Sequence, residues 1–312
     1  MSYIKNVRRL RAMFFGHTLV DAAGCSATAQ GISRWGGAWW ASRTGQEIPD
    51  TLNHKWPGYL TGSFPRSRLR ATLIEDFPIL RAVLDDPLWP LLQRLVHPKE
   101  DTSCWAAQLR LNGRSFKYYS VARLQRLCGA PHWRRLSGLI ALLGSERLAD
   151  RVWQAWLRRT FTAYLLCVCL DLPGQLDPVA IYDVLEEANR QGKLGPLADW
   201  PASAAGFRQR LRRLHRIRRR LQNRGWIREW RADDRLLFWR VLQERAWLLR
   251  LLTSQPASDF NRRDKLSKQV RPWIRQAQRD CVSFEAAAPG TWGWCDPTRG
   301  GSPPFPWAML WA

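Results

Sequence analysis

Apolar residues recur three and four positions apart along most of this chain, while runs that alternate apolar and polar are scarce. That periodicity predicts helices. Residues 87–96 place Leu88, Leu91, Leu92 and Leu95 on one stripe, which His97-Pro98 ends. A helix over 67–77 follows Pro65, and helices over 120–128 and 133–143 are separated by Gly129-Ala130-Pro131. The stretch 145–170 becomes steadily more apolar, which predicts a buried central helix stopped by Pro173-Gly174. Asp177-Pro178 opens another helix, which runs to Gln191 before Gly192. Ser203 and Gly225 are the residue types that cap the two ends of a helix between them. Asp233 or Asp234 caps the next, expected to reach Leu252, and a last helix covers about 262–281 with Pro272 inside it. The one hairpin-like exception is LRLNGRSFKYYSV, residues 109–121, where Asn112-Gly113 suits a type I′ turn.

The expected fold is mainly α: one or more multi-helix bundles with at most a short β-hairpin near 109–121. Residues 286–312 are too rich in proline and glycine for a regular element, and their four tryptophans predict an irregular C-terminal strap. Composition divides the chain into four regions. These are 1–100, a central helical core at 101–200, an arginine-rich helical region at 201–285, and the strap at 286–312.

With 312 residues, 46% of them hydrophobic, the chain can bury a sizeable core. Its seven cysteines are odd in number and irregularly spaced, which predicts reduced thiols. Cys128 and His132 could share a helix face, but nothing completes a zinc ligand set, and no metal or cofactor is expected. His17 and Asp21 interrupt the apolar run that an export leader would need at the N-terminus. The apolar block 161–170 is about half a bilayer span. These features predict a cytoplasmic protein without a membrane partner.

Charge changes the picture. Lys and Arg number 49 against 26 acids, a formal net charge of +23. Only seven of these cations are lysine. A preference for arginine over lysine is what codon bias in a GC-rich genome would produce, but such bias does not explain the scarcity of acids. Such an excess opposes compaction unless something negative lies nearby. It is concentrated in FRQRLRRLHRIRRRLQNR, residues 207–224, which holds nine arginines and no acid. Phe207, Leu211, Leu214, Ile217 and Leu221 fall on one helical stripe, leaving guanidinium on most of the rest. Guanidinium binds phosphate in a bidentate way, and a dense row of it suits counterion release along a nucleic-acid backbone.

The candidate contacts are Arg208, Arg212, Arg213, Arg216, Arg219, Arg220 and Arg224, with Arg228 and Arg231 in the following segment. A solvated charged face and a helix lying on an anionic membrane are the competing readings. The narrow stripe, without aromatics at its border, suits the membrane reading least. Trp226, Trp230, Trp239 and Trp247 lie among further arginines, where they either stack on bases or fill the core. Trp39-Trp40, set among glycine and serine, is the best candidate for an exposed aromatic pair.

Residues 55–78, KWPGYLTGSFPRSRLRATLIEDFP, resemble the second half of a phage-repressor-type helix-turn-helix domain through Trp56, Tyr59, Gly62, Pro65, Leu69, Leu73 and Ile74. Upstream, residues 19–35 are similar to the helix–Gly–x–Ser–helix core of such motifs through Ala23, Gly24, Ser26 and Ile32-Ser33-Arg34. In that family the helix after the turn enters the major groove. The resemblance implies base or backbone contacts by Ser26, Thr28, Gln30 and Arg34. The sequence departs from the family in its longer spacing from Gly24 to Ile32, in Gly31, Gly36 and Gly37 within the second helix, and in Pro57.

No phosphate-binding loop, dinucleotide fingerprint, HExxH or GxSxG motif is present. Asp50, Glu75-Asp76, Asp85-Asp86 and Glu100-Asp101 have no evident lysine partner of the kind a metal-dependent nuclease uses. The expectation is a non-enzymatic nucleic-acid-binding protein, DNA favoured over RNA, from a bacterial or mobile-element system of regulation, defence or transposition. The alternative is a non-catalytic subunit or scaffold whose basic helix docks on an acidic protein partner or on structured RNA.

Overall fold

The structure, a computed structural model, describes residues 2–47, 55–115, 120–172, 176–223, 225–243, 271–272, 275–276, 279–280 and 282–284. The described chain is mainly helical and separates into two compact units.

The first unit comprises Met1–His97 and Leu172–Glu187. Its helices are α1 (Ser2–Ala23), α2 (Ala29–Thr44), α3 (Lys55–Thr61), α4 (Ser67–Asp76), α5 (Ile79–Leu84) and α6 (Leu88–Val96). α1 packs on α3, α5 and α6, and α2 packs on α3. Phe15, Leu19, Ile32, Trp56, Tyr59, Leu73 and Leu80 form the core. The leucine stripe of α6 is buried as its spacing requires, with Trp89 edge-on to Phe14 at 5.1 Å. Two glycines are explained by close approach. A Cβ on Gly16 would lie 2.2 Å from the Tyr59 carbonyl oxygen, and one on Gly36 would lie 2.2 Å from the Trp56 ring. At Gly36, Trp56 thus packs where a side chain would otherwise stand, and packing outweighs propensity there.

The second unit comprises Pro98–Asp171 and Ala188 onward. It brings the expected central core and the arginine-rich region together. Its elements begin with α7 (Ser103–Gln108), β1 (Leu109–Leu111), β2 (Arg114–Ser115), α8 (Val121–Cys128), α9 (Trp133–Leu143) and α10 (Arg151–Cys169). α11 (Val179–Arg190) carries the chain from the first unit into the second, followed by α12 (Ala204–Asn223), α13 (Ala232–Gln243) and β3 (Val282–Phe284). α10 is the buried centre and packs against α9, α12 and α13. Trp153, Leu157, Phe161, Tyr164 and Leu165 are all buried along it. It begins at Arg151 rather than at Ser145, because the Ser145 hydroxyl donates to Asp150 Oδ2 at 2.6 Å and accepts from Arg147 N at 3.3 Å, holding a turn there.

The hairpin over Asn112-Gly113 is present. A third strand joins it: β3 pairs antiparallel with β1, Leu109 opposite Phe284 and Leu111 opposite Val282. The buried Asp280 secures that strand. Its carboxylate accepts from Arg126 Nη2 at 2.5 Å, Asn112 Nδ2 at 2.9 Å and Gln276 Nε2 at 2.9 Å, and its carbonyl accepts from Arg135 at 2.9 Å. The expected continuation of α13 to Leu252, most of the helix at 262–281 and the strap at 286–312 lie outside the described residues.

Candidate nucleic-acid interface

α12 is set at both ends by the residues its sequence nominated. Ser203 Oγ accepts from Gly206 N at 3.2 Å in the first turn. At the other end Gly225 adopts φ 68°, its N–H bonds Gln222 O at 2.8 Å, and Trp226 N bonds Leu221 O at 2.9 Å. This pair of bonds is a Schellman ending. Phe207, Leu211, Leu214, Ile217 and Leu221 are all buried, and α12 lies against α10. Burial of that stripe holds together a helix whose charges would otherwise repel one another.

Arg208, Arg212, Arg213, Arg216, Arg219 and Arg220 are all exposed, together with Gln209, His215 and Asn223. None of the ion pairs among the described residues engages Arg212, Arg213, Arg216, Arg219 or Arg220. The His215 imidazole is held below its ordinary pKa, first by the partial desolvation of its ring against the helix and then by Arg218 and Arg219.

The other two described arginines of the helix behave differently. Arg210 donates to the Asp199 carbonyl. Arg218 donates to the Leu170 carbonyl at 3.2 Å and stacks over the Trp230 ring, 4.0 Å from its centroid. At about 100° per residue both fall within the arc of the apolar stripe, Arg210 between Ile217 and Leu221 and Arg218 between Phe207 and Leu211, so their inward turn was legible in the spacing. Arg224 lies outside the described residues.

The loop after α12 is rigidly built. Trp230 has φ 59°, an uncommon conformation for a bulky residue. Asp234 Oδ2 holds it by accepting from the amides of Arg228, Glu229 and Trp230 at 3.0, 2.9 and 2.9 Å. Because α13 begins at Ala232, Asp233 and Asp234 lie inside its first turn and neither is the expected cap; Asp234 instead organises the preceding loop. Trp226, Trp230 and Trp239 are buried, so these three fill the core and offer bases no exposed ring; Trp247 lies outside the described residues. Arg228 is exposed, and Arg231 pairs with Glu229 at 2.5 Å.

In the first unit Ser26, Thr28, Gln30 and Arg34 are all exposed at the start of α2. Thr28 is its N-cap, with Oγ1 accepting from Gly31 N at 3.0 Å and lying 3.3 Å from Ser26 Oγ. Gln30 and Arg34 stand one turn apart on a shared face. The Trp39-Trp40 pair is divided. Trp40 is 41% exposed, whereas Trp39 is partly buried and donates to Asp76 at 2.9 Å. Arg43 binds Asp76 at 2.7 Å and Glu75 at 3.3 Å, so these carboxylates are ion-pair partners.

Among the described residues no group of three or more His, Cys, Asp or Glu could hold a metal ion. Burial pushes the Cys128 thiol up to about 12 and raises Cys167 and Cys169 as well. Lys193 is the lysine neighbour of Glu100-Asp101 that local sequence did not disclose, and it donates to the Glu100 carbonyl. Burial lowers its pKa, opposed by Glu146, Glu100 and Asp101. Ser103 ties that corner together, donating to Asp101 Oδ2 at 2.9 Å and accepting from Glu146 N at 2.9 Å. No described helix is long and apolar enough to cross a membrane. No family model, curated protein or solved structure matches the chain.

Proposed function

We propose that this protein binds nucleic acid, gripping backbone phosphates with the exposed arginines of α12. The observation that carries this reading is that Arg212, Arg213, Arg216, Arg219 and Arg220 are exposed and enter no ion pair among the described residues. Such a face lowers its free energy by exchanging the counterions on a polyanion for itself. The buried stripe and the Schellman ending pre-organise the helix, so little ordering cost attends binding. The exposed residues at the start of α2, together with the helix-turn-helix resemblance, support Ser26, Thr28, Gln30 and Arg34 as a second set of contacts.

The test is equilibrium binding of the full chain to nucleic acid, with and without Arg→Gln at positions 212, 213, 216, 219 and 220. Binding is expected to weaken steeply with salt in the wild type and to vanish in the variant, with an unchanged circular dichroism spectrum. Retained affinity in a folded variant refutes the assignment.

A further inference from the structure

The exposed face of α12 is not uniform, and its pattern carries an inference that rests on the nucleic-acid reading above. Gln209, Arg216 and Asn223 are seven residues apart in succession. Seven residues is close to two turns, so these three form a line, and at about 100° per residue that line runs opposite the buried stripe. Arg212 and Arg219 flank it on one side, Arg213 and Arg220 on the other, and all seven side chains are exposed. We propose that α12 lies in the major groove of double-stranded DNA, its two arginine rows on the two phosphate walls and Gln209, Arg216 and Asn223 towards the base edges.

Geometry and chemistry both favour this ligand. The two rows are separated by about 100° around the axis, and an extended arginine reaches about 9 Å from it, so the guanidinium tips stand about 14 Å apart. That separation suits the walls of a B-form major groove about 12 Å wide, which admits an α-helix. The A-form RNA major groove is too narrow and deep for such a helix. A single strand would call for aromatic platforms, but Trp226, Trp230 and Trp239 are buried and the described face of α12 exposes no Phe, Tyr or Trp. The central line is about 21 Å long, close to six base-pair rises. Its residue types are those that read bases in that groove: arginine pairs with guanine, and asparagine and glutamine pair with adenine.

The experiment has two arms. In the first, fluorescence anisotropy compares the full chain on a DNA duplex of about 20 base pairs, on one of its strands, and on an RNA duplex of the same sequence. The DNA duplex is expected to bind at least tenfold tighter than either. In the second, a randomised DNA duplex pool is selected on the wild type and on the double variant Gln209→Ala/Asn223→Ala. The wild type should enrich a site of about six base pairs. The variant should lose the preference at the two ends of that site, keeping only what Arg216 reads at its centre, and should keep its salt dependence, because the arginine rows remain. Equal or tighter binding of RNA or single strands overturns the groove assignment and leaves phosphate binding standing. Duplex binding with no enriched site, or with the same site in the variant, overturns base reading. Failure to bind any nucleic acid removes the underlying function itself.

Discussion

Single replacements of α12 arginines by glutamine should fall into two classes, and the division follows from where each side chain points. Arg212 and Arg219 are exposed and have no ion-pair partner among the described residues, whereas Arg210 and Arg218 turn back onto the carbonyls of Asp199 and Leu170. Each phosphate contact contributes about 0.9 to the slope of log K against log salt, and at about 0.1 M salt it is worth roughly 8-fold in affinity, or about 1.2 kcal/mol. Arg212→Gln and Arg219→Gln should therefore each flatten the slope by about 0.9, weaken binding about 8-fold, and leave stability within about 0.5 kcal/mol of wild type. Arg218→Gln should leave the slope unchanged. It instead removes a ring contact at 4.0 Å and a hydrogen bond at 3.2 Å, costing about 1–2 kcal/mol of folding stability. Anisotropy titrations over a range of salt concentrations, with thermal melts of the same samples, read both quantities. If Arg218→Gln flattened the slope as much as Arg212→Gln, the orientation of these side chains would not be controlling binding, and the reasoning would fail.

Asp280→Ala should destabilise the second unit by about 2 kcal/mol, since Arg126 can turn to water while Asn112 loses a bonded partner. Burial alone would raise the Asp280 carboxyl, but the hydrogen bonds from Arg126, Gln276 and Asn112 outweigh it and hold the pKa below the ordinary aspartate value. The linked stability is therefore complete above that ordinary value and lost as pH falls through the depressed one. Acid melts of wild type and Asp280→Asn check this, and an identical pH dependence in both would contradict it. Gly16→Ala should cost about 1–3 kcal/mol, because the new methyl meets the Tyr59 carbonyl oxygen at 2.2 Å, and an unchanged melting temperature would contradict that packing. His215 is held below its ordinary pKa in the free protein, so phosphates placed beside it should raise that pKa and the imidazole should take up a proton on binding. Affinity should then rise as pH falls from 8 to 6, by at most about tenfold per unit. His215→Gln should remove that rise, and its persistence in the variant would place the linked proton elsewhere.

Local spacing carried much of this architecture. The bounds of α9 and α12, the stripe of α6 and the Asn112-Gly113 hairpin all follow from periodicity and turn chemistry between neighbours in sequence. What was not legible depends on residues far apart in the chain. The Asp280–Arg126 pair joins positions separated by 154 residues, and Lys193 reaches Glu100 across 93, so no window of sequence discloses either. The glycines of α2 suggested a weak helix, because the Trp56 ring that occupies the space beside Gly36 is supplied by another element. Within the candidate site, counting nine arginines treated them as equals. Angular position around the helix separates Arg210 and Arg218 from the rest and singles out Gln209, Arg216 and Asn223, and that information was already present in the spacing.

The most direct measurement is site-resolved protection of arginines from a guanidinium-specific dicarbonyl reagent, read by mass spectrometry on the full chain, free and saturated with a DNA duplex. The account predicts that Arg212, Arg213, Arg216, Arg219 and Arg220 react readily in the free protein and become protected in the complex, while Arg218 reacts slowly in both. Equal reactivity of those five arginines with and without DNA, or protection of them before any ligand is added, would contradict it.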